Sequence, residues 1–181
     1  MKIIAFNPST ATEAIDSSTP VDLIPDSALV LNGRPVFVPD IADGWKATIG
    51  VAMRIGRLGR DIAPKFALRH VDAFGLALRL TCDSAEFSRA LLTAVDSTIL
   101  IGPMAAADDL SAVMTASIDG EVFETEPYAE ICSAVPLTSR FMTLKNGDLI
   151  LTHPLGEPLP IAPGMKLNIT FAGDTMPIRF V

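Results

Sequence analysis

The chain has 181 residues, 49% of them hydrophobic and 19% charged, with a net charge of −7 and two cysteines. That length suits one domain with a sizeable core. The acidic balance, with a pI near 4.7, excludes broad phosphate neutralisation and hence nucleic-acid binding. A mean hydropathy of +0.41 without an apolar run of membrane-spanning length points to an apolar surface covered by a second copy, most simply in a homodimer. The short apolar segment in MKIIAFNP does not suit a signal peptide. Cys82 and Cys132 read as buried free thiols of a cytoplasmic protein, and no membrane association is expected.

Taken in chain order, residues 2–6 read as a short strand, and NPST and SSTP mark a turn-rich segment after it. Asn32-Gly33 predicts a hairpin turn. Residues 47–55 alternate with a period of two: Thr48, Gly50, Ala52 and Arg54 share one face, and Ile49, Val51, Met53 and Ile55 the other. Gly56 and Gly59 punctuate a turn. A helix is predicted from Asp61, with Asp61 as cap, Pro64 in the first turn and Phe66, Ala67, Val71 and Phe74 at helical spacing. Residues 76–82 form a further strand and 84–93 a short helix. Around Asp119-Gly120 a β-hairpin is clear, with Glu124 and Glu126 on its exposed arm. Residues 128–144 read as a helix interrupted near Pro136, with Ile131, Val135, Phe141 and Leu144 on its buried face. About ten short strands and three helices result.

The stretch RIGRLGRDIAPKFALRHVDAFGLALRLTCD, the D-G hairpin, NGDLILT at 146–152 and the closing LPIAPGMKLNITFAG together resemble the fumarylacetoacetate hydrolase family, from about residue 25 onward. Residues 1–24 form a divergent N-terminal segment of the same domain. The resemblance implies a mostly β fold, a mixed sandwich-roll with a few short helices in a single domain. It also implies hydrolase, isomerase or decarboxylase chemistry on 2-oxo or diketo acids. Family members use Mg or Mn held by three carboxylates, two from an E-x-E strand and one Asp from the next.

Carried over residue by residue, that metal set falls on Thr48, Gly50 and Arg79, and the family's substrate-contacting Lys falls on Thr93. A hard divalent cation wants charged oxygen ligands, which none of these supplies, so no metal or other cofactor is expected. The family's acid–base His and Glu fall on Glu13 and Asp16, which read as solvated loop acids. Its substrate-carboxylate loop is shortened to His153-Pro154-Leu155-Gly156 after the matching Thr152, making Thr152 and His153 substrate-loop candidates. Arg79 offers a fork for a small carboxylate, with a structural salt bridge to Asp83 or Asp96 as the competing role. His153 suits proton transfer, Asp96 is a third candidate, and His70 reads as structural at a helix C-terminus. From these substitutions the sequence favours a non-catalytic paralogue for assembly or small-anion binding. The alternatives are an enzyme of the same class with an altered, metal-independent site, or a regulatory subunit of an active relative.

Overall fold

A computed structural model describes residues 1–7, 14–30, 34–111 and 113–181. Glu13 and the Asn32-Gly33 turn lie outside the described residues. An eight-stranded sheet carries the molecule, built around the long antiparallel pair β4 (Lys46–Ile55) and β5 (Val71–Thr81). Next to β4 runs β9 (Leu149–Pro154), then β1 (Ile3–Phe6) and, at the edge, β2 (Val21–Ile24). Beyond β5 lie β6 (Ile99–Ala106) and β3 (Leu29–Val30), and β10 (Leu159–Pro160) pairs with the start of β4. A second sheet has the order β12 (Asp174–Arg179), β11 (Lys166–Phe171), β7 (Met114–Ile118) and β8 (Glu121–Thr125). The fold is mostly β, as the residue pattern and the family resemblance imply.

The period-two alternation of β4 sorts its residues onto two faces. Ile49, Val51, Met53 and Ile55 enter the main core with Phe74, Leu76, Phe171 and Phe180. Thr48 and Gly50, on the other face, remain half-buried, and Ala52 there joins a smaller apolar cluster with Ala5, Ala77 and Leu151. That small-residue floor leaves room above the sheet. Close packing between strands depends on Gly50: a Cβ there would lie 3.0 Å from the His153 carbonyl oxygen of β9.

Two helix predictions change. From Asp61 onward only a 3-10 stretch forms, Pro64–His70, and Val71 and Phe74 belong to β5. Asp61 is no cap; it sits at φ 50 before the extended Ala63. The apolar spacing there matches both periods, and the long ladder against β4 decides for the strand. The short helix is confined to α1 (Arg89–Thr93), capped by Ser88, whose side chain accepts from Leu91 N. The long helix is α2 (Pro127–Phe141), with Pro136 inside it. Its buried face carries Ile131, Ala134 and Val135, but Phe141 is 68% exposed and Leu144 is buried outside the helix. The D-G hairpin forms as predicted, with Asp119 and Gly120 both at positive φ. Both cysteines are free but half-buried rather than buried, and the Cys82 thiol donates to the Asp43 carbonyl.

Candidate functional site

Thr48 and Arg79 are direct partners across β4 and β5, and Gly50 faces Ala77 two pairs further on, on the same face. The three positions to which the family resemblance assigns the metal set therefore converge. All line one cavity of about 470 Å³, with Asn7, Thr81, Thr152 and Glu157. That volume falls in the range of roughly 300–1,000 Å³ typical of small-molecule sites. A second space of about 320 Å³ adjoins it, sharing Asn7, Thr48, Arg79 and Thr81 and reaching Thr93 and Arg89.

Arg79 dominates the cavity. Its Nη2 donates to Asp22 Oδ2 at 2.6 Å and its Nη1 to Asn7 Oδ1 at 3.0 Å. Both side chains of the ion pair are 12% exposed. The expected partner, Asp83 or Asp96, is thus corrected to Asp22: β1 and β2 curl over the sheet and bring Asp22 to Arg79, while Asp83 and Asp96 stay exposed. Asp22 also accepts from Arg89, at 3.1 Å from Nε and 2.9 Å from Nη2, and from Asn7 Nδ2 at 3.1 Å. Burial works to raise the Asp22 carboxyl, but the hydrogen bonds from Arg89 and Arg79 outweigh it and hold the group below its ordinary value. The same contact raises Arg89. Of a guanidinium's five N–H donors, Arg79 spends two on Asn7 and Asp22, which leaves three among the described residues.

Thr48 Oγ1 and Thr81 Oγ1 stand 3.5 Å apart. Thr152, 4% exposed, has a hydroxyl with no hydrogen-bond partner among the described residues. A buried hydroxyl left unpaired costs on the order of 1–3 kcal/mol, so Thr152 Oγ1 is a polar group the fold leaves unsatisfied at the cavity's edge. Glu157, exposed, is the one carboxylate among the described residues lining the larger cavity.

His153 lies elsewhere. It follows Thr152 where the β4–β9 pairing shifts register between Gly50 and Ala52, and it lines a different cavity, of about 600 Å³, with Val51, Glu124, Glu126 and Glu130. There its Nδ1 is 2.5 Å from Glu130 Oε1 of α2. Of the two substrate-loop candidates, the Arg79 cavity therefore contains Thr152 alone. Asp96 lines none of the cavities described here, and Thr93 borders only the smaller space. Asp16 accepts from Ser18 in an exposed turn. His70 Nδ1 bonds the Arg57 carbonyl at 3.2 Å, a structural contact. Sequence reasoning missed Asn7, Asp22 and Arg89, which make up the clamp on Arg79. Nothing in the local pattern sets Asp22 apart from the other acids of the chain.

Residues 10–175 match the pattern of the fumarylacetoacetate (FAA) hydrolase C-terminal family. The chain belongs to the fumarylacetoacetate hydrolase family. It is 27% identical over 175 residues to the mitochondrial oxaloacetate decarboxylase of Dictyostelium discoideum, covering 87% of this chain and 80% of that protein. It is likewise 27% identical over 173 residues to the oxaloacetate tautomerase YcgM of Escherichia coli (strain K12), covering 86% of this chain and 78% of that one. The crystal structure of fumarylpyruvate hydrolase from Pseudomonas aeruginosa in complex with Mn2+ and pyruvate shares the fold, with a TM-score of 0.80 at 19% identity over 100% of this chain and 89% of that chain.

These relatives overturn the expectation of a non-catalytic paralogue. They are enzymes by name, and the match runs through the strands that build the cavity. That expectation equated the loss of acids with the loss of chemistry, whereas the altered positions still enclose a polar space around a held cation. The family's divalent metal is a separate matter. At the three positions that the resemblance assigns to metal ligands, Thr48, Gly50 and Arg79, this chain offers a hydroxyl, no side chain and a guanidinium. No group of three His, Cys, Asp or Glu able to hold a metal occurs among the described residues. The donor set does not fit a divalent cation. No helix among the described residues is long and apolar enough to cross a membrane.

Proposed function

We propose that this protein is an enzyme acting on a small 2-oxo acid of the oxaloacetate type, by tautomerisation or decarboxylation, in the Arg79 cavity. One observation carries the proposal: a guanidinium fixed by Asp22 on the floor of a small-molecule-sized cavity, with three N–H groups unspent. The names of the relatives supply the reaction class. In both reactions negative charge gathers on the 2-oxygen as an enolate forms, when C3 loses either a proton or carbon dioxide. N–H donors placed in advance at that oxygen lower the barrier. Arg79 provides them, and its planar fork also suits a carboxylate. Glu157 lines the same space and is the carboxylate positioned to take the C3 proton and return it to the oxygen, which completes a tautomerisation with no change in composition.

The test is an ultraviolet assay of enol–keto conversion of oxaloacetate, beside carbon dioxide release from the same substrate. Turnover that disappears in Arg79→Met supports the reading. Absence of both reactions across oxaloacetate and acylpyruvates ends it.

A further inference from the structure

We propose that the Arg79 guanidinium, held by Asp22 and Asn7, replaces the divalent cation of the family, so that this chain binds the 2-oxo acid carboxylate without metal. The inference deepens the proposed function and rests on it for the ligand class. Position is the first argument. Arg79 stands on β5 opposite Thr48 of β4, where the family's carboxylates would converge, and a positive side chain in their midst repels a doubly charged ion. Space is the second. A Cβ at Gly50 would meet the His153 carbonyl oxygen at 3.0 Å, so the β4–β9 packing disfavours a ligating side chain there.

Charge is the third. Two guanidinium groups, Arg79 and Arg89, share the single carboxylate of Asp22, so the cluster keeps one positive charge over. Glu157 and Asp83, the other charges bordering the two spaces, are exposed, as is Arg89 at 63%, so water screens all three and Arg79 is the buried cation a ligand meets. A carboxylate entering beside Arg79 meets that surplus charge and a bidentate fork. Asp22 is a positioning residue: bonded to Nη2, it fixes the plane of the guanidinium and touches no ligand.

Calorimetry with oxalate, an unreactive 2-oxo acid analogue, tests this on the full chain. The titration is run as purified, after exhaustive EDTA dialysis, and with added Mg2+ or Mn2+. The expected result is an oxalate Kd unchanged within about twofold across the three conditions. Arg79→Met is expected to weaken it at least about 30-fold, the lower end for truncating one member of a buried charge pair. Arg79→Lys, which keeps the charge and a partner for Asp22, retains part of the affinity and guards against a variant that merely misfolds. Asp22→Asn weakens oxalate binding while Asp22→Glu restores part of it, a rescue that a purely structural role does not require. Binding that appears only with Mg2+ or Mn2+, a tenfold gain on adding either, wild-type affinity in Arg79→Met, or no binding in any condition overturns the inference. Turnover of oxaloacetate that needs metal sinks this inference and leaves the proposed function standing. Metal-free oxalate binding without turnover of any 2-oxo acid does the reverse.

Discussion

Asp22 and Arg79 belong to strands separated by three others, β1, β9 and β4, yet their side chains meet at 2.6 Å. In a flat sheet four strand spacings amount to about 19 Å, more than the two side chains bridge. The contact therefore reports the curl of the sheet, and the curl makes the cavity. Function and fold are joined at this pair: the edge strand that closes the half-barrel also aims the cation.

Acid should loosen the molecule through Asp22 and Asp148. Asp148, 1% exposed, accepts from the backbone N–H of Lys2 and Lys145 and pairs with the Lys2 ammonium, tying the start of β1 to the approach to β9. Burial raises both carboxyls, but their hydrogen bonds prevail and the folded values lie below the ordinary 3.8. A depressed carboxyl stabilises the fold above its unfolded value and loses that contribution as pH falls through the folded one. Urea midpoints are expected to hold between about pH 5 and 8 and to drop below about pH 4. Asp148→Asn should flatten that drop and cost about 1–3 kcal/mol at neutral pH.

Gly50→Ala is a packing test. The new methyl meets the His153 carbonyl oxygen at 3.0 Å, and β9 must move. A loss of about 1–3 kcal/mol is expected by chemical denaturation, and Gly50→Glu should lose more without giving a protein that binds Mn2+ in a calorimeter.

Glu157→Gln separates binding from proton transfer. The variant should bind oxalate as wild type does, because Arg79 is untouched, while kcat for oxaloacetate tautomerisation falls about 100-fold, within the usual range for a general base. A kcat within twofold of wild type removes Glu157 from the mechanism.

His153→Ala should leave oxalate affinity within about twofold, since His153 faces Glu130 in the neighbouring cavity and additivity holds for sites without shared partners. A tenfold loss would place His153 in the Arg79 cavity after all.

Assembly can be measured directly. Leu23 and Phe141, 61% and 68% exposed, border one groove between the edge strand β2 and the end of α2. We propose that a second copy covers apolar surface of this kind. Light scattering should return about twice the 19.2 kDa of the chain, and a monomer at micromolar concentration would refute it.

Residues alone carried much of this. The alternation in β4, the D-G hairpin and the scaffold motifs established the family and the two faces of the central strand, because side-chain period and turn chemistry are local properties. Counting from the scaffold motifs also assigned Thr48, Gly50 and Arg79 to the positions of the family's acids, and the pairing of β4 with β5 brings these three residues to one cavity. The first reading of activity from the residues, a non-catalytic paralogue, failed, and the relatives favour the alternative of a family enzyme on keto acids, because an absent acid says nothing of what else reaches the same space. Around residues 61–74 the apolar spacing served helix and strand equally, and pairing with β4 chose between them.

Only the tertiary structure decided who holds Arg79. Asp22 and Asn7 are 57 and 72 residues away from it in the chain, and no local rule links them. It also assigned Thr152 and His153, neighbours in sequence, to different cavities, which no count along the chain foretold, because the β4–β9 pairing slips by one residue there. Local chemistry set the parts; the curvature of the sheet, which depends on every strand at once, set which charges meet.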